Sequence, residues 1–367
     1  MLLPFGHGRV AAALSCALFS GLLFAPQKAH ALSFIFTPQA GTSQQAIDGF
    51  KAAGNLWSSR FTDSVTVNIS IGFAALGGSI LAQASSMQTV FSYTDVRTAL
   101  TADATSLLDA TAISSLQAGP FLQFVTNDTT GAVILDNNNT ANNQFLAVNS
   151  ANAKALGLTA ANATASDASI SFNSSFNYDF DRTDGVITSG TFDFVGLAAH
   201  EIGHALGFVS GVDDVDYYSG PRTGPQGVLD LNPYAVFSTL DLFRYSSASI
   251  TQVAGFGTVE DLSQGAASYF SVDKGATNMG LFSTGPYDGD GSQASHWKDN
   301  RGLGIMDPTA APGELLAITG NDLNAFDAIG WNLETAQAPE PSALSLMCGV
   351  FILLGGIRVA RRRKRTA

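Results

Sequence analysis

Two histidines one helical turn apart oblige a distant stretch of chain to fold back toward them, because a metal ion held by two imidazoles needs a third ligand from elsewhere. His200-Glu201-Ile202-Gly203-His204 has that spacing. Outside the first 31 residues the only other histidine is His296. A helix over about 192–206 is expected, with Thr191 placed to cap it and Asp193 in its first turn, where the helix dipole favours an anion. Val195, Ala199, Ile202 and Leu206 would form its buried stripe, and His200, Glu201 and His204 fall together on the opposite side. Gly207 is placed to end the helix in a left-handed turn.

The two ends carry their own signals. Residues 1–31 read as a secretory signal peptide: Arg9 in a short basic segment, an apolar stretch from Val10 to Ala25, and Ala29-His30-Ala31 as a small-x-small cleavage site. Near the C-terminus, a linker over 333–341 ends in Pro339-Glu340-Pro341. A transmembrane helix over 342–360 and a basic tail over 361–367 follow, an order that leaves the tail in the cytoplasm and the main domain outside. This tripartite end resembles the PEP-CTERM sorting signal of Gram-negative bacteria that make exopolysaccharide. The resemblance implies cleavage near the Pro-Glu-Pro by an exosortase, at least transient anchoring in the inner membrane, and a location at the cell surface or in the extracellular matrix.

Both cysteines, Cys16 and Cys348, fall in these end segments, so the exported part has no disulfide and relies on its core and bound metals. Arg9, Lys28, Arg358, Arg361, Arg362, Arg363, Lys364 and Arg365 also lie there. Setting those eight aside leaves 10 basic against 30 acidic residues, a net charge of −20 over 32–341. That balance disfavours nucleic acid as a partner and suits cations such as Ca²⁺.

Along the exported chain, 33–36 reads as a short strand, 43–61 as a helix burying Ile47, Phe50, Ala53, Trp57 and Phe61, and 65–71 as an alternating strand. A second helix is expected over about 94–117. Strands at 132–135 and 169–172 are separated by Asn-rich pieces, 137–143 and 161–168, that read as surface loops. From 208 to 320 the many Gly, Pro, Asp and Ser residues predict loops and short elements. A last helix should start at Asn321 or Asp322, bury Leu323, Phe326 and Ile329, and stop at Gly330. The expected fold is α+β and two-lobed. An N-terminal lobe over 32–207 has a twisted sheet and helices and ends in the H-E-x-x-H helix, and an irregular C-terminal lobe spans 208–332.

On the chemistry, His200 and His204 can direct ring nitrogens at one Zn²⁺ while Glu201 projects beside them. Three protein ligands leave a fourth position for water, whose pKa zinc lowers to about 7. Glu201 would then act as the general base that takes the water's proton and passes it to a departing amine. The spacing leaves the third ligand open: His296 competes with Glu260 and with Asp213, Asp214 or Asp216. A histidine at position 210, as in the short metzincin pattern, is ruled out by Ser210.

His200-Glu201-Ile202-Gly203-His204-Ala205-Leu206-Gly207-Phe208 resembles the H-E-x-x-H-x-x-G-F of leishmanolysin-like metzincins, in which a long insertion precedes the third histidine. Ser295-His296-Trp297 followed by Gly304-Ile305-Met306-Asp307-Pro308 is similar to that family's third ligand and Met-turn, and Phe326 to Trp331 to the end of its last helix. The resemblance implies a metzincin-like fold, His296 as third zinc ligand, Met306 as the Met-turn methionine, and zinc-dependent endopeptidase action on protein or peptide substrates. The chain departs from the family in lacking cysteines for its disulfides and a propeptide cysteine to block zinc. A non-catalytic zinc-binding matrix or adhesive protein is the competing expectation. Asp179, Asp181 and Asp184, and Asp288 and Asp290, are candidate calcium ligands, although neither run has EF-hand spacing.

Overall fold

The computed structural model describes residues 32–78, 80–127, 132–219, 230–251 and 257–334. The expected signal peptide, Pro-Glu-Pro segment, transmembrane helix and basic tail lie outside the described residues. Among the described residues no helix is long and apolar enough to cross a membrane.

In chain order the elements are β1 (Ser33–Pro38), α1 (Gln44–Ser58), β2 (Thr66–Ala74), β3 (Ala82–Ser86), β4 (Gln88–Ser92), α2 (Tyr93–Asp103), α3 (Leu107–Ser115), β5 (Phe124–Asn127) and β6 (Val133–Asp136). There follow α4 (Ala141–Gln144), β7 (Phe145–Asn149), α5 (Ser150–Ala155), β8 (Ala168–Asn173), β9 (Tyr178–Asp179), β10 (Phe192–Asp193), α6 (Phe194–Leu206) and α7 (Val212–Ser219). The last stretch holds β11 (Arg244–Tyr245), α8 (Ser247–Thr251), β12 (Glu260–Asp261), β13 (Tyr269–Phe270), β14 (Gly280–Leu281) and α9 (Gly320–Ala328). The fold is thus mixed α+β with several small sheets.

The sheet that positions the site has strand order β1-β2-β8-β3, with β1, β2 and β8 parallel and β3 antiparallel to β8 at one edge. Alternation in β2 buries Val67, Ile69 and Ile71 beneath the helices. Helices α1 and α6 pack against each other, and α6 also packs along β3. Apolar residues from Leu32 to Trp331 form one continuous core, so the two expected lobes share it. Aromatic pairs join its ends: Trp57 meets Phe326 at a centroid distance of 4.7 Å and Phe61 meets Trp331 at 5.3 Å. Each such pair contributes about 0.5–1.5 kcal/mol beyond its burial.

Several local expectations are corrected. The helix expected over 94–117 is two helices, because Ser106 and Asp109 form a capping box that starts α3 afresh. The cap of α6 is Asp193 rather than Thr191: its Oδ1 accepts from the Gly196 amide at 2.8 Å. Helix α6 is also buried nearly all round, so its polar and apolar faces are both inside. The Asn-rich piece at 137–143 is not simply a surface loop, since Asn142 and Asn143 are fully buried. The expected linker is paired at its start, where Leu333 bridges Phe61 and the Glu334 amide donates to the Arg60 carbonyl at 2.7 Å. Gly207 ends α6 with a φ of +122°, as its place in the sequence suggested.

Candidate metal centre

Helix α6 is held at its middle and at its C-terminal end by indoles and an amide from remote parts of the chain. Trp57 Nε1 donates to the Ala199 carbonyl at 2.8 Å, Trp331 Nε1 to the Leu206 carbonyl at 2.9 Å, and Asn149 Nδ2 to the His204 carbonyl at 2.7 Å. The last carbonyls of a helix have no partner within it; Trp331 and Asn149 satisfy those of Leu206 and His204, while Trp57 adds a second donor to the mid-helix Ala199 carbonyl.

His200, His204 and His296 come together around one point. The Nε2 atoms of His200 and His204 are 3.1 Å apart, those of His204 and His296 3.1 Å, and those of His296 and His200 3.2 Å. Each Nδ1 faces a backbone carbonyl: Ile305 at 2.7 Å for His200, Phe208 at 2.8 Å for His204 and Gln293 at 3.1 Å for His296. A carbonyl can only accept, so every Nδ1 carries the proton and every Nε2 of the neutral rings presents a lone pair. Three lone pairs at this separation repel one another unless a cation sits among them. The three Nε2 atoms would hold a divalent cation such as zinc, which at catalytic sites takes three protein ligands and would supply Lewis acidity. The donor set therefore fits a metal ion, and it is the group of three or more ligating side chains found among the described residues.

Electrostatics favour the same state. Burial, joined by repulsion from His200, drives the His204 pKa down to about 3, and burial likewise lowers His200 and His296. The imidazoles are thus neutral, as ligands must be. Glu201, 8% exposed, has its carboxyl pushed up to about 8 by burial. It lines a cleft of about 340 Å³ with His200, Leu197 and Leu316, between Ile80–Ala82 at the start of β3 and residues 307–310.

Met306 is fully buried and packs on α6 at Gly203, where a Cβ would overlap its Sδ. The rival ligands lie elsewhere. Glu260 is buried among Gln117 and Tyr245, the Asp213 carboxylate accepts from the amides of Ala294 and Ser295, and Asp216 accepts from those of Tyr287 and Asp288. Arg244 donates to the carbonyls of Ser283 and Ala294 and lies over the Phe282 ring.

Among the described residues the candidate calcium carboxylates form no group of three close enough to hold one ion. Asp179 accepts from Thr188 and from the Asp181 amide, Asp181 from Thr183, Asp184 from the Val186 amide, and Asp290 from Thr284 and Lys298. Asp288 takes part as a backbone donor to Asp216.

Sequence reasoning missed one residue that organises the centre. Asp322, fully buried, accepts from Trp297 Nε1 and the Ile305 amide, both at 2.9 Å, and from the Thr319 amide at 2.7 Å. Its signal was the Thr319-x-x-Asp322 capping box at the start of α9. No protein-family model, curated protein or solved structure matches this chain.

Proposed function

We propose that this chain is an exported zinc-dependent endopeptidase with a metzincin-like fold, in which His200, His204 and His296 hold the metal and Glu201 is the general base. The observation that carries the reading is the convergence of three neutral, carbonyl-oriented imidazoles with a carboxylate beside them in an open cleft. Zinc, when bound, supplies Lewis acidity: it polarises a carbonyl oxygen and makes water more acidic.

The chain's own groups do the rest. The carbonyls of Ile305, Phe208 and Gln293 hold the three rings in one tautomer, which keeps their Nε2 atoms basic. A cation held by the three imidazoles would oppose the burial that raises the Glu201 carboxyl and favour its ionised form. Glu201 would then take a proton from water as the water oxygen bonds to the scissile carbonyl carbon, and pass it to the amine nitrogen as the C–N bond breaks. Met306 supports α6 between the two histidines of the motif. Strand β3 ends its sheet and runs beside the cleft, so its outer edge offers backbone donors and acceptors to an extended peptide. Delivery by the signal peptide and processing by an exosortase at the Pro-Glu-Pro complete the proposal and place its substrates outside the cytoplasmic membrane.

The test is hydrolysis of an unfolded protein by the purified, zinc-loaded chain beside its Glu201→Ala variant. Cleavage that disappears in the variant supports the peptidase. A parent that binds one zinc yet cleaves none of a broad peptide library points to the non-catalytic matrix protein instead.

A further inference from the structure

His296 lies 92 residues beyond His204 in the chain, so the helix that carries the first two imidazoles does nothing to aim the third. Its ring is set by the Gln293 carbonyl, which faces Nδ1 at 3.1 Å from within the same turn. That carbonyl points at the ring only while the turn over 293–296 keeps its shape. On the downstream side the chain is tied by backbone bonds: the Ser283 amide donates to the His296 carbonyl at 3.0 Å and the Trp297 amide to the Met306 carbonyl at 2.9 Å. On the upstream side the work falls to a carboxylate. The Ala294 amide donates to Asp213 Oδ1 at 2.6 Å and the Ser295 amide to Asp213 Oδ2 at 3.0 Å. Bonds from N–H to an ionised carboxylate are roughly twice as strong as neutral ones, so two of them give the turn a definite shape without regular secondary structure.

We propose that Asp213 is the positioning residue of the third metal ligand: it fixes the turn that orients His296 and does not touch the metal itself. The inference rests on the reading of the three histidines as one metal centre. The peptide group between Ala294 and Ser295 is gripped on both sides, its nitrogen by Asp213 and its oxygen by Nη1 of the buried Arg244 at 3.3 Å. The Ser295 hydroxyl donates to Asp213 Oδ2 and accepts the Ser210 amide at 2.8 Å, which uses its proton and one lone pair. Ser210 follows closely on Phe208, whose carbonyl orients His204. One carboxylate and one hydroxyl therefore hold the supports of the second and third imidazoles to each other.

Asp213 is itself well placed for this. It stands in the first turn of α7, and the entry to that helix is fixed by Asp241, which accepts from Ser210 Oγ at 2.6 Å and from the Gly211 amide at 2.8 Å. The link from His204 to the His296 turn thus runs through groups that each have a partner.

The experiment follows two readouts at pH 7.5 in the full chain: zinc affinity by competition with a chromophoric chelator, and the His296 tautomer by proton–nitrogen correlation NMR of the histidine-labelled, zinc-free protein. The parent should show His296 protonated at Nδ1. In Asp213→Ala the ring should become a mixture of both tautomers, and zinc should bind about 10–100-fold more weakly, the usual loss when a group that orients a ligand is removed. Asp213→Asn, which keeps the volume and one acceptor, should restore part of both, and Asp214→Asn on the exposed neighbour should change neither. In a His296→Ala background, Asp213→Ala should leave the remaining zinc affinity unchanged, whereas a role confined to general stability would weaken both backgrounds alike. An Asp213→Ala chain that keeps the parent's tautomer, and its zinc affinity within about twofold, overturns the proposal. Should that variant fail to fold, Asp213→Asn and Ser295→Ala are held to the same standard. A parent that binds no zinc removes the metal reading, and the tautomer comparison in the zinc-free chain then decides the role of Asp213 by itself.

Discussion

The indole N–H of Trp297 donates to Asp322 Oδ1 across 2.9 Å, while the other oxygen of that carboxylate accepts the Ile305 amide at 2.9 Å. Trp297 follows His296 in the chain, and the Ile305 carbonyl orients His200. A single buried carboxylate thus sets the position of one ring and the tautomer of another. Gly304 permits the approach, since a Cβ there would overlap Asp322 Oδ2. Asp322→Ala leaves several buried donors without an acceptor and should cost about 3–5 kcal/mol in denaturant unfolding. In whatever fraction folds, zinc affinity should fall about 10–100-fold, the usual effect of losing a group that orients ligands. Unchanged affinity in a folded variant would show that the turn holds itself.

Gly203 and Met306 form a second test of the centre's packing. Alanine is the better helix former by about 1 kcal/mol, yet at 203 its methyl would overlap a fully buried Met306 Sδ. Gly203→Ala should therefore destabilise by about 1–3 kcal/mol. Combined with Met306→Ala, much of that loss should return, giving a coupling energy above about 0.5 kcal/mol in a double-mutant cycle. Strict additivity would mean that the methionine moves aside at no cost.

The sequence was legible wherever structure is set locally. Helix α1 follows from the spacing of Ile47, Phe50 and Trp57, and α6 from its motif and Gly207, because helical periodicity and a glycine stop act over a few residues. The convergence of His296 on His200 and His204 could be suspected from the scarcity of histidines, although nothing local carries it. The stretch from 208 to 320 was opaque for a physical reason. Its form is set by buried carboxylates that accept from distant or neighbouring amides and hydroxyls, such as Asp241 with Ser210, Gly211 and Ser238, and Asp216 with Tyr287 and Asp288. Such bonds leave no periodic trace. Asn142 and Asn143 misled in the opposite sense, since composition marks asparagine as surface while here Asp136 and backbone carbonyls satisfy it inside.

Metal removal should be visible as stability. A ligand that binds only the folded chain adds about 2.7 kcal/mol at a free concentration one hundred times its Kd. Chelation should therefore lower the unfolding free energy by that order. In His296→Ala the chelator should make almost no difference, whereas Glu260→Gln and Asp214→Asn should keep the full response. A response that persists in His296→Ala and vanishes in Glu260→Gln would move the third ligand to Glu260.

The last prediction concerns acid. Asp327 is buried beside the capping box of α3, with one carboxylate oxygen taking the Ser106 hydroxyl at 2.7 Å and the other unpaired. Burial, with repulsion from Asp109 and Asp103, pushes its pKa from 3.8 up to about 6, although the Ser106 bond opposes the rise. Burial also raises Asp63 and Asp103 to about 6. A carboxyl with a raised folded pKa binds its proton more tightly folded than unfolded, so its favourable contribution is complete below the unfolded value near 4. That contribution drains away as pH rises through 6. These three groups should make the fold less stable at pH 7.5 than at pH 4.5, in opposition to any metal that acid displaces. Asp327→Asn, which keeps the shape and removes the charge, should add on the order of 1–3 kcal/mol at pH 7.5. At pH 4.5, where the folded group is protonated but the unfolded one is already largely ionised, the gain should shrink to about 1 kcal/mol or less. Urea unfolding of parent and variant at the two pH values, both in chelator, reads the difference free of the metal centre. An equal gain at both would mean that packing, rather than charge, governs the site.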